Sequence, residues 1–170
     1  MDLIGGIASR FRRLLLALRG VRFEGRAWLR SVDVPRGHRQ ITLGDGVALD
    51  RSVTLLINGN GRIRIGAQTY VNRSAFLDAA ADIEIGERCM IGPFCYITDH
   101  DHDPAAPQAG ALVCEPTKIG AGCWLGAHVS VLKGVAIGEG TVVGAGSVVT
   151  NSLPPRCVAV GNPARVLREL

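Results

Sequence analysis

Aromatic residues are scarce in this chain, since phenylalanine, tyrosine and tryptophan together make up 5% of its 170 residues. Hydrophobic residues nevertheless account for 47% and charged residues for only 20%, a balance that excludes a disordered chain. The core must therefore consist mainly of aliphatic side chains. Glycine is abundant, at 22 residues, so we expect one domain in which the chain turns often.

Three further absences narrow the class of protein. The chain has no apolar run of about 18 residues, which excludes a transmembrane helix, and the apolar run 14–18 is too short for a signal peptide. The five cysteines form no Cys-x-x-Cys pair, so neither a zinc ribbon nor a disulfide framework is predicted, and we expect reduced thiols in a cytoplasmic protein. A net charge of only +4 suits an anionic ligand but not a nucleic acid.

A six-residue repeat dominates the sequence. Leucine, isoleucine or valine occupies every one of fifteen positions on this period, in five groups of three: Leu43, Leu49, Leu55, Ile65, Val71, Leu77, Ile85, Ile91, Ile97, Ile119, Leu125, Val131, Ile137, Val143 and Val149. One hexad cannot bury its own apolar face, so coils stacked about 4.8 Å apart must create the core. The repeat predicts an all-β solenoid of about five coils with a triangular section over residues 41–154.

The longest interruption of the repeat lies between Ile97 and Ile119, where sixteen extra residues must leave the wall of the solenoid as a loop over 98–118. A loop of this length inside a compact domain is usually functional. It begins with the run Asp-His-Asp-His-Asp at 99–103. The run contains two histidines, His100 and His102, and histidine is the natural general base near neutral pH.

The two ends of the chain depart from the repeat. Residues 3–18 place seven apolar side chains at helical spacing with arginines mostly elsewhere, which predicts an amphipathic basic helix over 1–20. This helix either caps the open end of the solenoid or makes peripheral contact with an anionic membrane. After two prolines the hexads end, and in the tail 155–170 a short helix is predicted to start near Asn162-Pro163.

Several motifs together resemble one family. They are the isoleucine-glycine hexads, the histidine-bearing loop, Cys-Trp-Leu-Gly at 123–126, Val-Gly-Ala-Gly-Ser-Val-Val at 143–149 and Gly-Asn-Pro-Ala-Arg at 161–165. Over residues 41–168 the chain resembles the hexapeptide-repeat acyltransferases, close to the maltose and galactoside O-acetyltransferases and the O-acetyltransferases of bacterial polysaccharides and lipopolysaccharide O-antigens. The resemblance implies a left-handed parallel β-helix, a homotrimer with active sites between subunits, and acetyl-CoA as the acetyl donor.

The resemblance also implies one catalytic histidine at the start of the long loop. Counting forward from Ile97 matches the family's histidine to His102, whereas counting back from Trp124 matches it to His100. We favour His100, because the second count needs no gap. The paired histidines also leave open that one orients the other or holds a sugar hydroxyl.

The resemblance assigns roles to six further residues. It places Asn72 and Trp124 beside the acceptor. It places Ala127 and Ala145 along the thioester and pantetheine arm, where small residues let a ligand approach the backbone. It places Arg165 and Arg168 near the nucleotide phosphates. Asn72 is also a good turn former, and the arginines also fit a solvated face.

Cys89, Cys95 and Cys123 occupy the fifth position of their hexads, which faces inward, so an acyl-enzyme on cysteine is not expected. We predict direct acetyl transfer to a sugar hydroxyl in polysaccharide or lipopolysaccharide O-antigen biosynthesis. The alternatives are N-acetylation of a nucleotide-linked amino sugar, a non-catalytic scaffold, and a metal-binding trimer like the γ-class carbonic anhydrases. The four histidines do not reproduce the ligand spacing of that class, and no metal is predicted.

Overall fold

In the computed structural model, which describes residues 3–103, 105 and 111–170, each hexad forms a short strand that ends in a corner. All fifteen aliphatic side chains of the six-residue period point inward, and none is more than 2% exposed. They stack in register from coil to coil and build one continuous core. This confirms the solenoid predicted from the repeat.

Six complete coils of three strands each are present in the described part of the chain, followed by a partial seventh. The strands of the first three coils are β1 Arg22–Phe23, β2 Ala27–Leu29, β3 Val32–Asp33, β4 Ile41–Leu43, β5 Val47–Leu49, β6 Val53–Ile57, β7 Arg62–Ile65, β8 Tyr70–Val71 and β9 Phe76–Ala79. A single 3-10 turn, His38–Gln40, joins the first coil to the second.

The remaining coils carry the long loop. Their strands are β10 Asp82–Ile85, β11 Met90–Ile91, β12 Tyr96–Thr98, then β13 His100–His102 and β14 Leu112–Cys114 in the loop, and β15 Thr117–Ile119, β16 Trp124–Leu125, β17 Ser130–Val131, β18 Ala136–Ile137, β19 Val142–Val143, β20 Val148–Val149, β21 Cys157–Gly161 and β22 Ala164–Glu169. Strands β13 and β14 pair antiparallel as a hairpin outside the wall. The tip of the predicted loop, residues 104 and 106–110, lies outside the described residues.

The strands form three faces of a left-handed parallel β-helix. Face A contains β1, β4, β7, β10, β15 and β18; face B contains β2, β5, β8, β11, β16, β19, β21 and β22; face C contains β3, β6, β9, β12, β17 and β20. Parallel pairing gives every wall strand a hydrogen-bonded neighbour above and below, except at the two ends of the stack. The corners between faces are therefore fixed positions that the chain revisits once per coil.

The prediction of about five coils missed the first one. Its strands β1 and β2 continue the six-residue period, because Phe23 pairs with Leu43 and Leu29 with Leu49. The next position on the period is Pro35, which has no backbone N–H, and the buried residue is instead Val34. Because an aromatic residue and a proline stand at two positions of the period, the aliphatic repeat did not reveal this coil.

Helix α1, Leu3–Arg19, covers the open edge of β2. The backbone N–H of Leu29 donates to Oγ of Ser9 at 2.7 Å, and the Arg12 guanidinium donates to the Leu29 carbonyl at 3.3 Å. These contacts satisfy groups that would otherwise have no neighbouring strand, so α1 serves as an end cap. No helix in the described residues is long and apolar enough to cross a bilayer.

The predicted C-terminal helix is wrong. Residues 164–169 instead form strand β22, which pairs antiparallel with β21 and ends face B. The prediction used local signals, a proline near a first turn and two arginines three residues apart. The free edge of β21 outweighs those signals, because strand pairing satisfies backbone groups there that a helix would leave unpaired.

Candidate active site

Asp99 is the residue that fixes the start of the long loop. Its side chain is fully buried, and its two oxygens accept hydrogen bonds from the backbone N–H groups of Ala80 and Ala81 at 2.7 and 2.9 Å. The carbonyl of Asp99 also accepts a hydrogen bond from the N–H of Glu115 at 2.8 Å, which joins the two ends of the loop. A buried carboxylate is tolerated here because donors surround it.

His100 lies directly beside this carboxylate. Its Nδ1 is 3.1 Å from Oδ1 of Asp99 and 3.3 Å from Oγ1 of Thr98, and its side chain is only 11% exposed. A carboxylate at Nδ1 favours the tautomer with the proton on that nitrogen, which leaves Nε2 as the acceptor. Nε2 is 3.8 Å from Oδ2 of Asp78, beyond hydrogen-bond length, so Asp78 does not hydrogen-bond to this nitrogen.

His102 has a different environment. It lies two residues further along β13, is exposed, and pairs across the hairpin with Leu112, whereas His100 pairs with Cys114. The structure therefore gives the two histidines unequal surroundings, one oriented by a buried carboxylate and one in solvent.

A groove of about 510 Å³ runs along face B and its corner with face C. This groove is lined by the four residues to which the family resemblance gave roles in acceptor and donor binding, Asn72, Trp124, Ala127 and Ala145. Trp124 is 50% exposed, as predicted for the sixth position of a hexad. Glycine and alanine form much of the floor, so few side chains obstruct a ligand that lies against the backbone.

The sequence analysis did not predict two residues that line this groove, Tyr70 and Met90. Both stand at the sixth position of their hexads, and Met90 pairs in register with Tyr70 on one side and Trp124 on the other, which forms an outward ladder on face B. The same position had been recognised as outward for Trp124, so the repeat itself carried the signal.

Tyr70 and Asp50 are coupled by a hydrogen bond. The Tyr70 hydroxyl donates to Oδ2 of Asp50 at 2.8 Å. Burial and this bond raise the pKa of Tyr70 above its ordinary value. Burial alone would raise the pKa of Asp50, but the hydrogen bonds from Tyr70 and the Arg51 N–H together with Arg30 lower it. Asp50 is therefore held as a carboxylate that fixes one rim of the face-B ladder.

Arg165 and Arg168 extend the same face. The ladder continues in register from Trp124 through Val142 and Val158 to Arg168, three strand spacings or about 14 Å away. Both arginines are exposed on β22. The two arginines therefore place positive charge on the same face as Trp124, beyond the residues that line the groove.

The groove and the Asp99–His100 pair lie on different edges of the prism. The groove residues follow strands of face B, at the corner with face C, whereas Asp99 and His100 follow β12 of face C, at the corner with face A. Within the described residues, neither candidate histidine lines the groove. Both sets of groups are formed, but a single chain does not bring them together.

The inward cysteines are unsuited to covalent catalysis. Cys89, Cys95 and Cys123 are each 1% exposed and face the core, as predicted from the fifth position of their hexads. Burial raises the pKa of Cys95 to about 11, whereas the hydrogen bond to Cys123 lowers the pKa of Cys89. Burial and not the pKa therefore keeps all three thiols from a substrate. Among the described residues, no three histidine, cysteine, aspartate or glutamate side chains gather as they would around a metal ion.

Comparisons with known proteins agree with the resemblance seen in the sequence. The repeat described as "Bacterial transferase hexapeptide (six repeats)" matches residues 116–151. Galactoside O-acetyltransferase of Escherichia coli K12 is 34% identical over 131 residues, which cover 76% of this chain and 64% of that protein. The chain spans between 44% and 64% of the length of the first curated relatives that it matches.

Solved structures match along nearly the whole chain. A galactoside acetyltransferase in complex with coenzyme A is 27% identical, with a TM-score of 0.71, and the match covers 99% of this chain and 84% of that one. A hexapeptide-repeat acetyltransferase of Vibrio cholerae complexed with acetyl coenzyme A is 29% identical, with a TM-score of 0.69, and the match covers 95% and 78%. At 21% identity and a TM-score of 0.82, an N-acyltransferase of Bacillus cereus shows the same fold.

Proposed function

We propose that this chain, which is similar to hexapeptide-repeat acetyltransferases, is an acetyl-CoA-dependent O-acetyltransferase that acts on a sugar hydroxyl. The 34% identity to a galactoside O-acetyltransferase favours a hydroxyl acceptor. We place the reaction in the cytoplasm, where its free cysteines stay reduced, and in polysaccharide or lipopolysaccharide O-antigen biosynthesis.

One observation carries the proposal: a histidine stands at the root of the long loop with a buried carboxylate 3.1 Å from its Nδ1. Acetyl transfer to a hydroxyl needs a base for the hydroxyl proton. A carboxylate on Nδ1 orients the ring and stabilises the imidazolium that forms when Nε2 takes a proton. His100 is the proposed base, and Asp99 is its positioning residue.

The donor would supply an acetyl group already activated as a thioester. In direct transfer, Nε2 of His100 takes the hydroxyl proton while the acceptor oxygen bonds to the acetyl carbon. The carbon–sulfur bond breaks, and His100 returns the proton to the leaving thiolate. The reaction needs no covalent enzyme intermediate, which agrees with the burial of the cysteines.

The face-B groove is the proposed donor site. Ala127 and Ala145 border the slender arm closely because they carry almost no side chain, and Arg165 and Arg168, exposed on β22 beyond the groove, neutralise the nucleotide phosphates. Trp124 and Asn72 hold the acceptor where the groove meets the reacting carbonyl. Since the base lies on another edge of the prism, we propose a homotrimer in which His100 of one subunit reaches the groove of its neighbour.

The test combines binding and turnover. Acetyl-CoA is titrated calorimetrically into the wild-type protein and into His100→Ala and His102→Ala, and thiol release is followed with a panel of sugars and amino sugars. We expect similar donor binding in all three proteins. Turnover should fall by about 10²–10⁴-fold in His100→Ala and stay near wild type in His102→Ala, because His102 is the matched control in the same hairpin.

Three outcomes would contradict the proposal in different ways. Absence of donor binding by the wild-type protein would exclude an acyltransferase. Loss of turnover in His102→Ala alone would move the base to the exposed histidine. Transfer to amines but not to hydroxyls would establish an N-acetyltransferase.

A further inference from the structure

Helix α1 leaves a band of large apolar side chains in solvent. Ile7, Phe11, Leu14, Leu15 and Leu18 are between 40% and 77% exposed. At 100° per residue they lie within an arc of about 100° on one side of the helix, and no strand or loop of the described residues covers them. We call this band the outer face of α1.

The opposite side of α1 is fixed to the solenoid. Ser9 and Leu16 are the buried residues among residues 6–19 of the helix, and Ser9 accepts the Leu29 N–H at 2.7 Å. The Arg13 guanidinium lies 5.3 Å from the centre of the Phe23 ring. The helix therefore cannot turn its outer face inward without losing the contacts that cap β2, and the exposure is built into the fold.

Positive charge borders the outer face. At the same 100° per residue, Arg10 follows the band on one side and Arg19 on the other, and both are exposed. The helix Leu3–Arg19 contains no acidic residue. Beside it, Arg10, Arg13 and Arg26 line a cavity of about 530 Å³ between α1 and the first coil, and none of its lining residues is acidic.

We propose that α1 docks the protein on an anionic lipid bilayer. The outer face enters the boundary between headgroups and acyl chains, while Arg10 and Arg19 contact lipid phosphates at its two borders. An apolar arc bordered by cations, on a helix too short and polar to span, is the pattern of an interfacial helix. The inference is independent of the proposed acetyl transfer, because none of these residues belongs to the groove or to the histidine loop.

A second copy of the chain is a poorer occupant of the outer face. Pairing two such helices along their apolar bands would bring the bordering arginines of one helix close to those of the other. No carboxylate in Leu3–Arg19 is present to offset that repulsion. Anionic headgroups complement the same borders, so charge favours the membrane.

The test measures co-sedimentation of the full chain with vesicles of phosphatidylcholine, alone and mixed with phosphatidylglycerol. We expect binding to the mixed vesicles that weakens with salt. The double variant Phe11→Ser/Leu18→Ser should bind them at least about tenfold more weakly, since each side chain contributes several buried methylene equivalents. Arg10→Gln/Arg19→Gln should weaken binding to the mixed vesicles only.

Leu167→Ser is the matched control, because Leu167 is as exposed as the helix residues but lies on β22. It should bind mixed vesicles like the wild type. Failure of the wild type to bind mixed vesicles, or equal binding by Phe11→Ser/Leu18→Ser, would overturn the proposal. A larger assembly of the wild type than of that double variant, seen by sedimentation velocity without lipid, would assign the outer face to a second copy. Donor binding by Phe11→Ser/Leu18→Ser should stay at the wild-type level, which separates this test from that of the proposed function.

Discussion

Replacing Asp99 by asparagine tests whether the buried carboxylate supports catalysis or only the fold. The carboxylate receives three donors: the N–H groups of Ala80 and Ala81 and, at 3.1 Å, Nδ1 of His100. Asparagine has the same shape but only one acceptor oxygen, so its NH₂ group must face one of those donors. Losing the charge on these bonds and leaving a buried donor unpaired should lower the free energy of unfolding by about 2–4 kcal/mol.

The effect on catalysis should have a different cause from the effect on folding. Without a carboxylate at Nδ1, the ring of His100 loses its fixed orientation, and the imidazolium formed during proton transfer loses its counter-charge. We expect kcat to fall by about 10²–10³-fold, within the range that a positioned general base contributes. The affinity for acetyl-CoA, measured by calorimetry, should be unchanged, because Asp99 lies on a different edge of the prism from the groove.

Asp101→Asn provides the control for this experiment. Asp101 is exposed on the same hairpin strand and its replacement makes the same change in charge. It should alter neither the thiol-release rate nor the thermal transition. A protein with Asp99→Asn that is less stable but turns over at the wild-type rate would show that Asp99 only anchors the loop, and would refute its role as a positioning residue.

Three further changes test the groove, the core and the hairpin. Ala145→Leu should weaken acetyl-CoA binding at least about tenfold by calorimetry without lowering the melting temperature, because residue 145 is exposed on the groove floor. Leu77→Ala should lower the free energy of unfolding in urea by about 2–5 kcal/mol, since Leu77 is fully buried in the stack. A bulky maleimide should label Cys114, the exposed cysteine opposite His100, and reduce turnover, whereas Cys114→Ser should resist inactivation; labelling without loss of activity would contradict the placement of the site.

The wall of the solenoid could be predicted from the sequence because each inward position imposes the same local demand. A side chain such as Leu77 must be aliphatic whichever coil it belongs to, so the period is visible without knowledge of the pairing. The first coil broke that rule through Phe23 and Pro35. Strand β22 could not be predicted, because what makes it a strand is the free edge of β21 and not its own composition.

The candidate site also has a part that the sequence predicts and a part that it does not. Outward positions on face B, such as Trp124, follow from the repeat, and the long loop follows from its interruption. The choice between His100 and His102 does not follow from the repeat, because counting forward from Ile97 and counting back from Trp124 give different histidines. What distinguishes them is Asp99, whose burial depends on the N–H groups of Ala80 and Ala81 in the preceding coil. Contacts between coils are absent from any local pattern.

Two subunits must supply the site if the base and the groove act together, since each is held rigidly on its own edge of the same prism. Mixing two inactive variants tests this directly. His100→Ala keeps an intact groove and Ala145→Leu keeps an intact base, so some interfaces of a mixed trimer combine an intact base from one chain with an intact groove from the other.

Random co-assembly should restore about one quarter of the sites, because each site draws its base and its groove independently from neighbouring subunits. Co-expressed and doubly purified oligomers should therefore regain measurable thiol release, whereas the separately assembled variants should stay inactive when combined. If co-assembled oligomers remain inactive although donor binding returns in the expected proportion, base and groove must meet within one chain, and the proposed shared site is wrong.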